Sequence, residues 1–114
     1  MSLSYRIANQ ICIIEVDGEL TADLANKLTP YCFEVLEQAK ANALVINLEK
    51  TSCINSAGIG TLMMLMKRSP VDLAFCQLNT SVYSTLKLIQ LNKKITIFNT
   101  EEEAFDFFKE GTSL

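Results

Sequence analysis

The sequence predicts an α/β fold: a mixed sheet of four to five strands with about four helices packed on it. Three observations carry this expectation. Short apolar, β-branched runs alternate with stretches of helical period, as in β-α-β units around a largely parallel sheet. The first two strand-like runs follow one another with no helix between them, which sets an antiparallel hairpin at the N-terminal edge. The composition, 49% hydrophobic and 20% charged, supplies enough apolar surface for a core without disulfide or metal staples. At 114 residues the chain suits a single domain, residues 1–114.

Residues 5–10 and then Ile11-Cys12-Ile13-Ile14-Glu15-Val16 read as β, with a hairpin about Asn9-Gln10 and a turn signal at Asp17-Gly18. From Thr21, a reasonable N-cap, the period becomes helical: Leu24, Leu28, Tyr31, Cys32, Val35, Leu36 and Ala39 share a face. Pro30 removes a hydrogen bond there. The apolar face runs through it, so one helix bent at Pro30 is expected rather than a later start at Thr29. Residues 43–48 form a wholly apolar run apart from Asn47, as in a central strand buried on both faces. A loop over 49–55 leads to a helix over 56–67, with Ile59, Leu62, Met63 and Met66 facing inward and Met64 outward. Lys67 and Arg68 suit its C-terminal dipole, and Ser69-Pro70 stops it.

Residues 72–77 read as the next strand. Thr80 or Asn79 caps a helix carrying Val82, Leu86 and Ile89 and ending near Asn92; residues 95–98 form the last strand. Thr100-Glu101-Glu102-Glu103 is a capping box opening a final helix that carries Ala104, Phe107 and Phe108.

Composition also limits function. Net charge is −3, and Lys67-Arg68 and Lys93-Lys94 are the only adjacent basic pairs. That is too little basic surface for a nucleic-acid ligand. No apolar run reaches the length of about 18 residues that a membrane helix needs. The first residues lack a secretory signal, so the cytoplasm is the expected compartment. Cys12, Cys32, Cys53 and Cys76 form no C-x-x-C pair and sit among apolar residues, as reduced, mostly buried thiols do. No metal site and no cofactor are expected. Histidine is absent, which removes Ser-His and Cys-His pairs and the common zinc hydrolase sites, so no enzymatic activity is expected.

The order β-β-α-β-α-β-α-β-α combines with two local signatures. One is Val45-Ile46-Asn47-Leu48 followed by Ile54-Asn55-Ser56-Ala57-Gly58-Ile59-Gly60; the other is Leu86-Lys87-Leu88-Ile89-Gln90-Leu91 leading to Ile97-Phe98-Asn99-Thr100-Glu101-Glu102-Glu103-Ala104. Gly18-Glu19-Leu20 adds a G-x-L after the second strand. Together these resemble the STAS family, the anti-sigma factor antagonists of bacteria and the cytoplasmic domains of sulfate transporters. In antagonist members the serine after an acidic residue is phosphorylated by an anti-sigma kinase; unphosphorylated, such a protein binds the kinase and frees the sigma factor. The resemblance puts that phosphoacceptor at Ser56 and implies an anti-sigma factor serine kinase and a phosphatase as partners. It implies a partner face of Glu19, Thr21, Asn55, Ala57, Gly58 and Gly60, to which an outward Met64 would add. The sequence departs from the family pattern at Asn47, Asn55 and Thr21, where relatives often carry acids. Those neutral residues favour the alternative of a non-phosphorylated scaffold or ligand-sensing module.

The junction chemistry agrees with a phosphate at Ser56. A helix start exposes unpaired N–H groups and the positive end of a dipole, and a phosphoserine brings about −1.5 to −2 charges and three acceptor oxygens. Plainer roles compete. Ser56 is a good N-cap, Gly58 and Gly60 suit helix–sheet packing, and Cys53 suits a small buried apolar position.

Overall fold

The computed structural model describes residues 2–112. Asn9 and Gln10 both adopt the left-handed backbone (φ 50° and 64°), and a two-residue turn of that kind matches the twist of hairpin strands. Strand β1 (Ser2–Ala8) therefore pairs antiparallel with β2 (Ile11–Asp17), Ala8 opposite Ile11 and Ser2 opposite Asp17. Strands β3 (Ala43–Asn47), β4 (Asp72–Cys76) and β5 (Ile97–Phe98) follow in chain order, each parallel to its predecessor. The helices are α1 (Ala22–Ala39), α2 (Ser56–Arg68), α3 (Thr80–Leu88) and α4 (Glu101–Thr112), with a 3₁₀ turn at Leu91–Lys93. This is the mixed five-stranded α/β sheet with four helices that the sequence predicts.

Successive side chains of a strand point to opposite faces, and both faces of the central strands are covered by helices, so β3 and most of β2 are buried along their length. On one face Cys12, Ile14, Val16, Leu44, Ile46 and Phe75 meet Leu24 and Leu28 of α1, Leu62 and Leu65 of α2, and Val82 and Leu86 of α3. On the other face Ile11, Ile13, Ala43, Val45, Ala74 and Cys76 meet Ala104 and Phe108 of α4. Helix α1 continues through Pro30 because Leu28, Cys32, Val35 and Leu36 remain buried on either side of it.

Three apolar side chains of the predicted helices lie outside the core, among them Met63, which the sequence reading places inside it. Helix α2 buries Gly58, Leu62 and Leu65, and Met63, about 100° around the helix from Leu62, is 51% exposed. Ile89 is exposed because α3 ends at Leu88 and Gln90 turns left-handed (φ 61°). Phe107 is exposed and stacks instead on the rings of Phe98 and Phe108, each at 5.3 Å. The last strand is two residues long rather than four.

Candidate functional site

The site is built where two loops leave the same end of the sheet. Thr51, in the β3–α2 loop, is fully buried; its hydroxyl donates to the Val16 carbonyl (2.9 Å), and Asn79 Nδ2 donates to the Thr51 carbonyl (2.6 Å). Gly18 N–H donates to the Lys50 carbonyl at a φ of 136° that favours glycine. Further on, Leu20 N–H donates to Cys53 O (2.9 Å) and Asn55 N–H to Leu20 O (3.4 Å), so Leu20 and Ile54 form a parallel bridge. The β2–α1 loop, carrying Glu19 and Thr21, is thereby zipped along the loop that starts α2.

Gly58 fits under that zipper. A Cβ built on it would lie 2.2 Å from the Leu20 carbonyl oxygen and 2.6 Å from Ile54 Cγ1. Packing therefore accounts for Gly58. It does not account for Gly60, whose added Cβ meets nothing within 4 Å. The sequence reading that gave both glycines one packing role holds for the first only. One turn further along α2, Thr61 Oγ1 donates to the Ala25 carbonyl (3.0 Å) and fixes α2 on α1.

Asn55, not Ser56, caps α2. Its Oδ1 accepts from Gly58 N–H (3.1 Å) while its carbonyl accepts from Ile59 N–H (2.9 Å). Ser56 is thus the first helical residue, and its side chain is exposed. Among the described residues no acceptor or donor engages the Ser56 hydroxyl, and no acceptor meets the N–H of Ser56 or Ala57. Neither is there an acid in the first turn of α2. On the neighbouring loop Glu19 is exposed and Thr21 half-buried; Thr21 precedes α1 without making a side-chain cap bond. Ala57 is half-buried against the core, and Gly58 is buried. By helical spacing Ser56, Gly60, Met63, Met64 and Lys67 run along one exposed side of α2. Met63 is the member of this side that the sequence reading put in the core.

Asn47 belongs to a different cluster. At the end of β3 it is buried; Nδ2 donates to Glu101 Oε2 (2.8 Å) and Oδ1 accepts from Glu49 N–H (2.9 Å). Glu101 also pairs with Arg6, and its own N–H donates to Gln77 Oε1 (3.0 Å). Burial pushes the Glu101 carboxyl up, but hydrogen bonds from Arg6 and Asn47 outweigh it and hold the pKa below the ordinary carboxylate value. An acid at position 47 would face this carboxylate, which explains the amide there. These partners lie 95 and 54 positions apart in sequence, beyond the reach of any local pattern.

Burial pushes the thiols up to about 11 at Cys12 and about 12 at Cys32 and Cys76, so they are protonated and poor nucleophiles or metal ligands near neutrality. Cys53 is half-buried. Among the described residues no group of three His, Cys, Asp or Glu could hold a metal ion, and no helix is long and apolar enough to cross a membrane.

Comparison with known proteins adds the following. The family model for the STAS domain matches residues 2–104. A blue-light photoreceptor of Listeria innocua serovar 6a is 26% identical over 106 residues, which are 90% of this chain and 42% of the photoreceptor. The chain thus spans less than half the length of that curated relative. Among solved structures, a candidate anti-sigma factor antagonist of Thermotoga maritima is similar with a TM-score of 0.82 at 22% identity, covering 91% of this chain and 92% of that one. The anti-sigma factor antagonist SpoIIAA is similar in its unphosphorylated form (TM-score 0.77, 18% identity, 96% and 97% covered), and so is the Bacillus cell fate determinant SpoIIAA in its phosphorylated form (0.68, 17%, 94% and 99%). These structural likenesses establish the fold.

Proposed function

The chain belongs to the STAS domain family, and from that membership we propose that it is a regulatory protein-binding module of the anti-sigma factor antagonist type. Its switch is phosphorylation of Ser56 by an anti-sigma serine kinase, reversed by a phosphatase. It works in the cytoplasm and without catalysis of its own. One observation carries this reading: Ser56 stands exposed as the first residue of α2, its hydroxyl released from capping because Asn55 takes that role.

The chemistry follows from that position. The hydroxyl is open to a kinase, and Gly60, one turn on, leaves space above the helix. A phosphoryl group on Ser56 lies beside the free N–H groups of the first turn, which stabilise it. Its charge of about −1.5 to −2 changes the face seen by a partner. That face comprises Glu19 and Thr21 on one loop and Asn55, Gly60 and Met64 on the other, with Ala57 and Gly58 shaping the turn between them. SpoIIAA, solved with and without phosphate, supports the comparison through the shared fold.

The test is phosphate mapping. After incubation with ATP and its serine kinase, the protein is expected to carry one phosphate, at Ser56; Ser56→Ala abolishes incorporation and Ser56→Asp loses kinase binding. An unmodified Ser56, together with full binding by Ser56→Asp, overturns the switch. That result would instead support a constitutive scaffold or ligand-sensing module. The observation favouring this second reading is that Asn55 and Asn47, both amides, are spent on capping α2 and on Glu101, so neither supplies a carboxylate to the hydroxyl.

A further inference from the structure

Charge is distributed unevenly along the chain. Residues 50–99 hold six cations, Lys50, Lys67, Arg68, Lys87, Lys93 and Lys94, against the single acid Asp72, a balance of +5 in a chain of net charge −3. Four of those cations form two adjacent pairs, Lys67 and Arg68 in the last turn of α2 and Lys93 and Lys94 at the end of the 3₁₀ turn after α3, and Lys67 and Lys94 line one groove. Among the described residues none of the four meets a carboxylate at ion-pair distance; the ion pairs found are Arg6–Glu101 and Lys50–Glu15. Asp72 shares a neighbouring cleft with Lys94 but does not pair with it.

A groove of about 490 Å³ lies between these cations, lined by Met63, Met66, Lys67, Ile89, Leu91 and Lys94. Met63 and Ile89 are each 51% exposed, and Leu88, next to Ile89 in the chain, is 85% exposed. Contiguous exposed apolar residues of this size mark an interaction surface, and methionines adapt their shape to what they contact. The lining has no aromatic ring on which a nucleic-acid base would stack. The groove has one lysine on α2 and another just after the 3₁₀ turn, which suits a rod with two charged flanks.

We propose that the groove between α2 and residues 89–94, which follow α3, docks an acidic amphipathic helix of a protein partner. The apolar face of that helix sits between Met63 and Ile89, and its flanking carboxylates meet Lys67 and Lys94. The site is separate from Ser56. Along α2, Met63 at the near edge of the groove is seven residues, about 10 Å, from Ser56, and the Lys67 charge is eleven residues, about 16 Å, away; both exceed the screening length of about 8 Å at physiological salt, so the state of Ser56 affects docking little.

The test starts from a displayed library of random 16-residue peptides selected against the purified protein. The enriched sequences are expected to carry Asp or Glu on both sides of apolar residues spaced i, i+4. Fluorescence anisotropy of a selected peptide should show affinity falling with salt and falling at least about tenfold in Lys67→Glu/Lys94→Glu. The effect of Ser56→Asp should stay within about twofold. In the ¹³C-methyl spectrum the Met63 and Met66 signals should shift on binding. Should the charge reversal fail to fold, Lys67→Gln/Lys94→Gln serves the same purpose with a smaller loss. Selection of no binder, of neutral or basic binders, or of binders indifferent to the lysine changes overturns the proposal. So does binding of phosphatidylglycerol–phosphatidylcholine vesicles through these lysines when no peptide is enriched.

Discussion

The first turns of α2 and α4 are opposite solutions to the same problem. Each must satisfy backbone N–H groups that no earlier turn can accept. At α4 the chain does so with its own side chains. Glu103 N–H donates to Thr100 Oγ1 (3.1 Å), Thr100 N–H donates to Glu103 Oε1 (3.1 Å), and Glu101 N–H reaches Gln77. Three glutamates then balance the positive end of the dipole. At α2 only Gly58 N–H receives a side-chain cap, no acid follows, and Ser56 stands exposed. The saturated end anchors a helix to the sheet, through Glu101 to Arg6 and Asn47. The unsaturated end keeps capacity for a negative group that arrives later. A helix start left open while its loops are tightly fixed is a place to look for added charge.

The contrast can be broken or sharpened by substitution. The largest effect is expected at Gly58→Ala, where the new Cβ meets a backbone oxygen that cannot yield: about 3 kcal/mol lost in urea unfolding, from overpacking at the zipped loops. Asn47→Asp comes next. It sets a second carboxylate against Glu101 and removes an N–H donor, costing about 2 kcal/mol at pH 7. Acid narrows that gap, because protonation relieves the repulsion. The wild type loses stability over the same range: Glu101, with its folded pKa depressed, contributes fully above the unfolded value near 4.5 and loses that contribution as pH falls through the folded one. Thermal melts of both proteins between pH 7 and 3 measure the convergence. Asn55→Ala removes the single side-chain cap of α2 at about 1 kcal/mol, and hydrogen exchange at the Gly58 amide should accelerate accordingly. Gly60→Ala is expected to stabilise by about 0.5–1 kcal/mol, since its Cβ enters open space and alanine favours the helix.

What the sequence disclosed, and what it withheld, follows the range of the interactions. The hairpin turn at Asn9-Gln10, the apolar strand at 43–47 and the Thr100–Glu103 box are local, and each is legible because the residues that decide it are neighbours. The sequence assigns Met63 to the core because a helix of nearly all apolar residues has no polar side to orient it; Gly58 seated against Leu20 sets the rotation instead, and Leu65 is buried. Asn55 and Ser56 are both good caps by type, and the choice between them is made by the bond from Asn55 N–H to Leu20, thirty-five positions earlier. Asn47 looked like a missing acid of the Ser56 loop until Glu101, on α4, supplied the reason for an amide. The Ser56 position itself was legible, but not the release of its hydroxyl from capping.

That the open end of α2 is read by a partner through phosphate at Ser56 is tested most directly by calorimetry. The protein phosphorylated at Ser56 and the unmodified protein are titrated separately into a serine kinase that binds the unmodified form. The phosphorylated form is predicted to bind at least about a hundredfold more weakly, a difference of about 2.7 kcal/mol. Equal affinities of the two forms would contradict a phosphate switch at this helix start.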